Sequence, residues 1–188
     1  YIHYEWPAGG TGASAGTDGS NAVRSYNEGD FNSIQSVEML ETQFPLRIER
    51  CEVRTSACGD GEFRGGFGLR REVRILGERA ALSVLSEKNV IPPHGVEGGS
   101  NGAANQFTVI RDGEITSPSD VPGKVSGFAL RTGDIVREET AGGGGYGDPL
   151  KREPEKVLAD VSEEYLTTSE AMHRYGVVIS GNSVDGAA

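Results

Sequence analysis

The side chains with a clear capacity for chemistry in this sequence are two carboxylates, Glu38 and Glu41, and one arginine, Arg64. The carboxylates are three positions apart, which on a helical turn places both on one face, where a carboxylate can serve as a general base. A solvated acidic face is the structural alternative for this pair. Arg64 is followed by Gly65 and Gly66, so its guanidinium can offer a rigid fork of donors to a carboxylate or phosphate.

A run of four glycines precedes one further carboxylate: Gly142, Gly143, Gly144 and Gly145 lead to Asp148. Glycine loses the most backbone freedom on folding, so a globular protein keeps such a run where no side chain fits. We therefore assign the four glycines to close approach of a ligand or of another backbone, and include them among the substrate-binding residues. Asp148 is assigned there too, as an acceptor for amides of the run, although a turn-forming Asp before proline is the alternative.

The histidines and cysteines do not form a metal-ligand pattern. His3, His94 and His173 are scattered, and no histidine or carboxylate partner stands at ligand spacing, so we expect no metal site within this chain. His94 follows two prolines and is predicted to face a cavity that binds substrate. Six residues separate Cys51 from Cys58, which matches no usual zinc spacing, and we expect reduced, inert thiols in preference to a hairpin disulfide.

Two familiar catalytic or nucleotide-binding motifs fail in their context. Residues 12–16 match the Gly-x-Ser-x-Gly turn of serine hydrolases, but neither a buried strand before it nor a helix after it is evident. Residues 121–125 lack the first glycine and the final Ser or Thr of a phosphate-binding loop. If the protein uses ATP, we expect another chain to bind it.

Composition limits the class of partner. The chain has 188 residues, 28 of them glycine, and a net charge of −10. An acidic protein repels nucleic acid and anionic membranes, and no apolar run is long enough to span a bilayer. The first residues contain no signal peptide and no initiator Met, so we expect a piece of a longer cytoplasmic protein whose partner is a small-molecule substrate.

Hydrophobic alternation predicts a mainly β fold. A phase change near Arg50 indicates a bulge, and Asp112 followed by Gly113 indicates a tight hairpin turn. Further glycine-rich segments without a fixed period, at residues 8–12, 64–68 and 95–99, suggest extended backbones packed on one another. Short strands are predicted at residues 46–55, 69–76, 81–85, 107–115, 127–130 and 134–139.

Helical patterns are short and lie mostly at the end. Residues 34–40 predict a short helix or turn, and Pro154 opens a helical segment. Thr167 and Glu170 form a capping box for a helix through Tyr175, with Gly176 as its C-cap. We predict one α+β domain over residues 1–180, with short-stranded sheets or a barrel-like core, and a disordered tail over residues 181–188.

The order of several motifs resembles the hydantoinase B/oxoprolinase family. The motifs are EMLE at residues 38–41, FPLRI at 44–48, FRGGFGL at 63–69, GGGGYGDP at 142–149 and AMHRYGVV at 171–178. The resemblance covers the chain from about residue 4 to 178. It corresponds to the C-terminal part of the family's longer B-type subunit.

The resemblance implies an enzyme that works in a heteromeric complex. Family members act with an actin-like ATPase subunit of the hydantoinase A type, which binds ATP, and they hydrolyse cyclic amides such as hydantoins, oxoproline and lactams. Their glycine-rich segments form polyproline-II-like helices beside β-sheets. The resemblance places any divalent metal in the remainder of the B-type subunit. We assign Glu38 and Glu41 as site carboxylates and Arg64 as an anion holder.

Two alternatives stay open. Residues 26–32 are reminiscent of the family's ATP-dependent ketone carboxylases, which act on acetone or acetophenone. The scarcity of histidines and the abundance of glycine also fit a non-catalytic scaffold that docks the ATPase subunits.

Overall fold

Short strands joined by long connections dominate the structure, a computed structural model that describes residues 1–24 and 35–187. The helices are α1 (Val37–Gln43), α2 (Pro154–Ser162) and α3 (Thr168–Tyr175). The strands are β1 (Leu46–Arg54), β2 (Gly68–Ile75), β3 (Arg79–Leu85), β4 (Gln106–Arg111), β5 (Glu114–Thr116), β6 (Lys124–Arg131), β7 (Ile135–Glu139), β8 (Val177–Ser180) and β9 (Ser183–Ala187). The motif at residues 26–32 and the first residue of the predicted helix at 34–40 lie outside the described residues.

Among the residues that the structure describes, the strands pair antiparallel and form three sheets. The largest has the order β1-β2-β7-β4-β5, while β3 pairs with β6 and β8 with β9. The α+β prediction with short-stranded sheets is confirmed. The barrel-like alternative is wrong for residues 1–24 and 35–187, because β1 and β5 stay at opposite edges of the large sheet.

Local features of the sheets follow the sequence patterns. The pairing of β1 with β2 shifts register between Ile48 and Arg50, which confirms the predicted bulge. Asp112 and Gly113 join β4 to β5 with φ angles of 53° and 84°. Positive φ at both positions is what a tight two-residue hairpin turn requires, and the Asp-Gly pair supplies it at low cost.

The main core lies between the large sheet and the two-stranded β3–β6 sheet. Leu46, Val73, Val109 and Val136 come from four neighbouring strands of the large sheet and are buried together. Leu130 on β6 packs against them from the two-stranded sheet. This sandwich holds β2 and β7 in place, and the glycine-rich segments continue from both strands.

The C-terminal residues form a second, smaller core. Val157 of α2, Ala171 and Tyr175 of α3, and Val177 of β8 are buried in one cluster. Helix α3 begins with the predicted capping box, and it ends at Gly176 with φ of 68°. The predicted disordered tail is wrong for Ser183–Ala187, which pairs with β8 because Val184 packs against this core.

Charged side chains also lie on the core side of the large sheet. Arg71 on β2 stands opposite Glu138 on β7 and donates to Glu5 of the N-terminal segment. His3 is 3.4 Å from the other oxygen of Glu5. Burial raises the pKa of Glu138 to about 7, with a further contribution from the Glu5 carboxylate, while Arg71 opposes the rise. The buried Arg71 guanidinium therefore bonds to Glu5, whereas it acts on Glu138 through its charge alone.

Glu138→Gln tests this arrangement through the pH dependence of folding. The raised pKa in the folded state disfavours the ionised carboxyl, so stability is lost as pH rises from the unfolded value of 4.5 through about 7. We expect Glu138→Gln to exceed the parent in free energy of unfolding by on the order of 1–3 kcal/mol at pH 8, and to match it near pH 4. Urea denaturation at both pH values measures the difference.

The control is Glu114→Gln, which removes an exposed carboxylate on β5. We expect the free energy of unfolding of Glu114→Gln to differ from that of the parent by the same amount at pH 4 and at pH 8. A Glu138→Gln variant whose stability differs from the parent equally at pH 4 and pH 8 contradicts the assignment.

Candidate functional site

The four consecutive glycines lie at the centre of a bundle of extended segments. A Cβ atom added to any of them would meet the backbone carbonyl oxygen of another segment at 2.1 Å or less, far inside van der Waals contact. Gly142 meets the carbonyl of Ala57, and Gly143 meets that of Thr11. Gly144 meets the carbonyl of His94, and Gly145 meets that of Asp60. No side chain fits at these positions, which confirms the prediction that glycine segments pack on one another.

The contacts of the run repeat every three residues. Gly142 and Gly145 both face residues 57–60, whereas Gly143 faces Thr11 and Gly144 faces His94. Three residues per turn is the period of a polyproline-II helix, in which each residue points to a different neighbour. The run is therefore surrounded on three sides by backbone.

Sideways hydrogen bonds hold the bundle together. The Gly143 amide donates to Gly66 O at 2.9 Å, and the Gly143 carbonyl accepts from Gly59 N at 2.8 Å. The Gly145 amide donates to Ser100 O at 3.0 Å. A polyproline-II helix has no internal hydrogen bonds, so buried backbone groups need such partners from adjacent segments.

A buried ion-pair network closes one side of the bundle. Arg152 donates to both carboxylate oxygens of Asp18 at 2.8 Å and to Asp160 at 2.9 Å. Arg64 donates from Nε to Asp160 at 3.1 Å, while its backbone amide donates to Asp18 at 2.9 Å. The Arg64 guanidinium also stacks 4.4 Å above the ring of Phe67. Two cations and two carboxylates thus alternate in one cluster.

Two members of the network, Asp18 and Arg152, are stabilised in their charged forms by their neighbours. Burial acts to raise the pKa of Asp18, but the hydrogen bond and charge of Arg152 outweigh it and lower the pKa overall. Burial acts to lower the pKa of Arg152, and Asp18 and Asp160 outweigh that effect in turn. Asp18 and Arg152 therefore stay ionised near neutral pH, which suits a positioning role better than proton transfer.

A second contact ties the C-terminal helices to the bundle. The Tyr175 hydroxyl donates to Asp60 at 3.0 Å, and burial raises the pKa of Tyr175. Cys58, two residues before Asp60, is a buried free thiol whose pKa burial raises to about 12. A thiol with that pKa stays protonated and unreactive. Cys51 is also free and is exposed.

Arg64, His94 and Asp148 all lie in or beside the bundle, but their side chains differ in accessibility. The Arg64 side chain is buried and bonded to Asp160. The His94 side chain is exposed, and its backbone is the part that contacts Gly144. Asp148 accepts from Leu150 N at 3.0 Å and so caps the following turn. This hydrogen bond to Leu150 N is the one expected if Asp148 forms a turn before Pro149, the alternative given above for this residue.

Glu38 and Glu41 lie on α1, beside β1. Glu41 Oε1 accepts from Ile48 N at 2.8 Å, and Glu38 is exposed in the first turn of the helix. Within residues 1–24 and 35–187, neither side chain shares a hydrogen bond or ion pair with Arg64 or the glycine run. The candidate residues therefore lie in two separate places, the glycine bundle and helix α1. The catalytic assignment of Glu38, Glu41 and Arg64 stays a prediction.

Three members of the network, Asp18, Arg152 and Asp160, were not predicted from the sequence. Asp18 and Arg152 are 134 positions apart, and no local pattern links them. Asp160 lies within an amphipathic helix, where a buried carboxylate is unusual unless it is paired. The position of Asp160, three residues after Val157 and next to Val161, was the feature of the sequence that could have indicated a buried, paired carboxylate.

Metal clusters and membrane-spanning helices are both absent from the described ranges. Residues 1–24 and 35–187 contain no group of three or more His, Cys, Asp or Glu side chains arranged to hold a metal ion. In the same ranges, every helix is too short or too polar to cross a membrane.

Comparison with known proteins places this geometry in a family. Residues 1–149 match the family model described as Hydantoinase B/oxoprolinase, which covers the glycine bundle and the large sheet. The chain belongs to the hydantoinase B/oxoprolinase family. Helices α2 and α3, which carry Asp160 and Tyr175, follow the matched region.

Curated relatives are similar over most of this chain. The chain is 33% identical to the B subunit of a putative D-/L-hydantoinase of Pseudomonas sp. over 96% of its length, and this spans 30% of that protein. It is 34% identical to the beta subunit of the caprolactamase of Pseudomonas jessenii over 81% of its length, spanning 27% of that protein. The chain thus spans less than a third of these relatives.

Solved structures share the fold. The ATP-dependent caprolactamase from Pseudomonas jessenii is 30% identical, with a TM-score of 0.72 over 94% of this chain and 31% of that chain. A nucleotide-free acetone carboxylase gives a TM-score of 0.74 over 96% of this chain and 28% of that one. Its identity is 24%, so this second likeness concerns the fold alone.

Gly143→Ala tests the steric role of the run. The added Cβ would lie 1.7 Å from Thr11 O, and backbone on that side cannot move without breaking the bundle. We expect a loss of about 3 kcal/mol or more in the free energy of unfolding. Denaturant titration followed by circular dichroism measures it.

Gly12→Ala is the matched control from a neighbouring segment. Its added Cβ would lie 4.0 Å from Gly144 O, an ordinary contact, and Gly12 does not have a positive φ. We expect a change within about 1 kcal/mol. Equal effects of the two substitutions contradict the packing described here.

Proposed function

We propose that this chain is part of the catalytic B-type subunit of an ATP-dependent cyclic-amide hydrolase of the hydantoinase, oxoprolinase or lactamase type. An actin-like ATPase subunit of the hydantoinase A type binds the ATP, and the remainder of the B-type subunit completes the site. The observation that carries the proposal is family membership together with identity above 30% to proteins named as a hydantoinase and a caprolactamase subunit.

The chemistry requires activation of a poor electrophile. In this proposal ATP phosphorylates the amide oxygen of the ring, which makes the ring carbon open to attack by water. A carboxylate acts as general base toward that water; the ring C–N bond then breaks, its electron pair and a proton going to the ring nitrogen, and a second water releases inorganic phosphate from the acyl phosphate that remains. Positioned amides or a cation stabilise the negative charge on the phosphoryl oxygens. Any divalent metal is held by the rest of the subunit.

Glu41 and Glu38 are the candidates for the base in this chain. Glu41 is the better placed of the two, since its bond to Ile48 N fixes one oxygen and leaves the other to act. Arg64 is the predicted anion holder, but its Nε faces Asp160. Its contacts therefore favour a positioning role, in which it secures the bundle that supports the site.

The glycine run supplies rigidity to this proposed site. Gly142 to Gly145 contact backbone on three sides, so the loops attached to the bundle are held at fixed distances. Catalytic groups act best when their support is locked by packing. His94 and Asp148 adjoin the run and complete the substrate-facing candidates.

A ketone carboxylase is the second candidate function. The likeness of residues 26–32 to the carboxylases of this family favours it, and the fold shared with acetone carboxylase is compatible with it. In that reaction a phosphorylated ketone would meet bicarbonate. A scaffold that docks the ATPase subunits is the non-catalytic alternative, consistent with the extensive internal pairing of Arg64 and Arg152.

Substrate-dependent ADP release by the full-length subunit with its co-purifying partner tests the proposal. Hydantoin, 5-oxoproline and ε-caprolactam are compared with acetone and acetophenone, each with and without bicarbonate. We expect ADP release with at least one cyclic amide, independent of bicarbonate. Release that needs a ketone and bicarbonate supports the carboxylase and contradicts the proposal.

Turnover and assembly of complexes that carry single substitutions distinguish a catalytic role of this chain from a docking role. We expect Glu41→Gln to lower kcat by about a hundredfold, the usual size of a general-base contribution, while the complex still assembles. Glu163→Gln, at the exposed end of α2, is the control and should keep full activity. Loss of assembly in Glu41→Gln, with unchanged turnover in the complex that remains, supports the scaffold instead.

A further inference from the structure

Residues 1–6 form a strap that reaches from the end of α1 to strand β2. The ring centroid of Tyr1 lies 4.9 Å from that of Phe44, and the ring centroid of His3 lies 5.3 Å from it. Further along the strap, Glu5 accepts a hydrogen bond from Arg71 on β2. Within residues 1–24 and 35–187, no backbone–backbone hydrogen bond involves the strap, so its side chains hold it in place.

The chain is firmly held directly after the strap. Ala8 is 3% exposed, and its carbonyl accepts from the Thr140 hydroxyl at 2.7 Å. Within the strap, by contrast, Ile2 and Tyr4 are 91% and 76% exposed. Segments with few buried contacts and no backbone pairing open at a small cost in free energy. The strap can therefore leave the sheet while the glycine bundle stays intact.

Arg71 has unused hydrogen-bonding capacity beside the strap. Its buried side chain donates to Glu5 from Nη1, whereas Nε and Nη2 are buried without a partner among the residues that the structure describes. Glu138 stands opposite Arg71 in the pairing of β2 with β7, and its buried Oε2 likewise has no partner in the described ranges. Buried polar atoms gain free energy when they are paired. While the strap is docked, donors and an acceptor that suit each other thus stay unused on neighbouring strands.

The docked strap also disfavours a charge on Glu138. Burial is the main cause that raises the pKa of Glu138 to about 7, and repulsion by the Glu5 carboxylate is the next. That repulsion exceeds the opposing attraction by Arg71. Because the pKa is raised while the strap is docked, docking is favoured below about pH 7 and weakens as pH rises through that value.

The side chains around this pair leave Arg71 as the cation that both carboxylates share. On β4 the residue paired with Glu138 is the uncharged Phe107, and on β1 the residue paired with Arg71 is Cys51. Successive side chains of a strand point to opposite faces of the sheet. The charged neighbours of Glu138 along β7 accordingly pair on the other face, Arg137 with Glu72 and Glu139 with Arg70.

We propose that the strap is a pH-dependent switch: when Glu138 loses its proton, the Arg71 guanidinium turns from Glu5 to Glu138, and residues 1–6 leave the sheet. The proton passes to solvent, and the Glu5 carboxylate becomes hydrated. The two arrangements exclude each other, because one guanidinium does not compensate two buried carboxylates.

Release of the strap also affects helix α1. Tyr1 and His3 leave the ring of Phe44, which is the C-cap residue of that helix. Helix α1 carries Glu41, so the protonation state of Glu138 is coupled to the support of a candidate catalytic side chain. The switch itself does not depend on the reaction proposed above.

Chymotrypsin cleavage between Tyr4 and Glu5 measures release of the strap. The full-length subunit is digested at pH 6 and at pH 8, and mass spectrometry follows this cleavage. Each rate is divided by the rate for Glu138→Gln at the same pH, which removes the pH dependence of the protease and of His3, 3.4 Å from Glu5. We expect the ratio to rise about tenfold from pH 6 to pH 8, as a pKa raised from 4.5 to about 7 requires.

Glu5→Gln tests the same switch from the side of the strap. It removes the carboxylate that Arg71 holds, so the strap is released without ionisation of Glu138. We expect Glu5→Gln to be cleaved about tenfold faster than the parent at pH 6 and at the same rate at pH 8. The matched control is Glu114→Gln, at an exposed carboxylate on β5, which should be cleaved like the parent at both pH values.

A ratio of parent to Glu138→Gln that is the same at pH 6 and pH 8 overturns the proposal, as does cleavage of Glu5→Gln no faster than that of the parent at pH 6. If Glu138→Gln does not fold, comparison of Glu5→Gln with Glu114→Gln decides. A difference in rate at pH 6 that disappears at pH 8 supports the switch, and a difference that is equal at both pH values contradicts it.

Discussion

Backbone packed against backbone, with no space for a Cβ atom at four successive positions, is the constraint on which the rest of this structure depends. Gly142 to Gly145 contact segments that begin near Thr11, Ala57 and His94, so three distant parts of the chain meet on one line. Ordering that many glycines is entropically costly. Lateral hydrogen bonds, the two hydrophobic cores and the buried ion-pair network offset that cost.

The large sheet and the C-terminal helices both contact the bundle and support it. Strand β2 begins directly after one glycine-rich segment, and β7 is followed by the glycine run, so the core around Val73 and Val136 fixes where both segments join the sheet. Near the C-terminus, Arg152 and Asp160 connect Asp18 and Arg64 of the bundle to helix α2. A buried ion pair adds little stability by itself, but breaking it is costly, which makes it effective at fixing one arrangement.

The sequence was informative wherever local physics decides the structure. The bulge near Arg50, the Asp112-Gly113 turn and the capping box of Thr167 and Glu170 depend on a few adjacent residues, and all were predicted. The glycine packing was predicted because a folded protein keeps four consecutive glycines only where side chains cannot fit. The partners of Arg64 were not, since a long-range ion pair leaves no local pattern. The tail was mispredicted because Val184 packs against a core formed by residues of α2, α3 and β8, and the local sequence of the tail does not show this contact.

Amide hydrogen exchange at the glycine run tests the account most directly. The amides of Gly143 and Gly145 donate to Gly66 O and Ser100 O. If the bundle is the rigid centre of the protein, both should exchange only through global unfolding, with the same free energy of opening as amides in the middle of β2. Exchange at rates close to those of the amide of Gly16, where no other atom approaches within 4 Å of an added Cβ, would contradict the account.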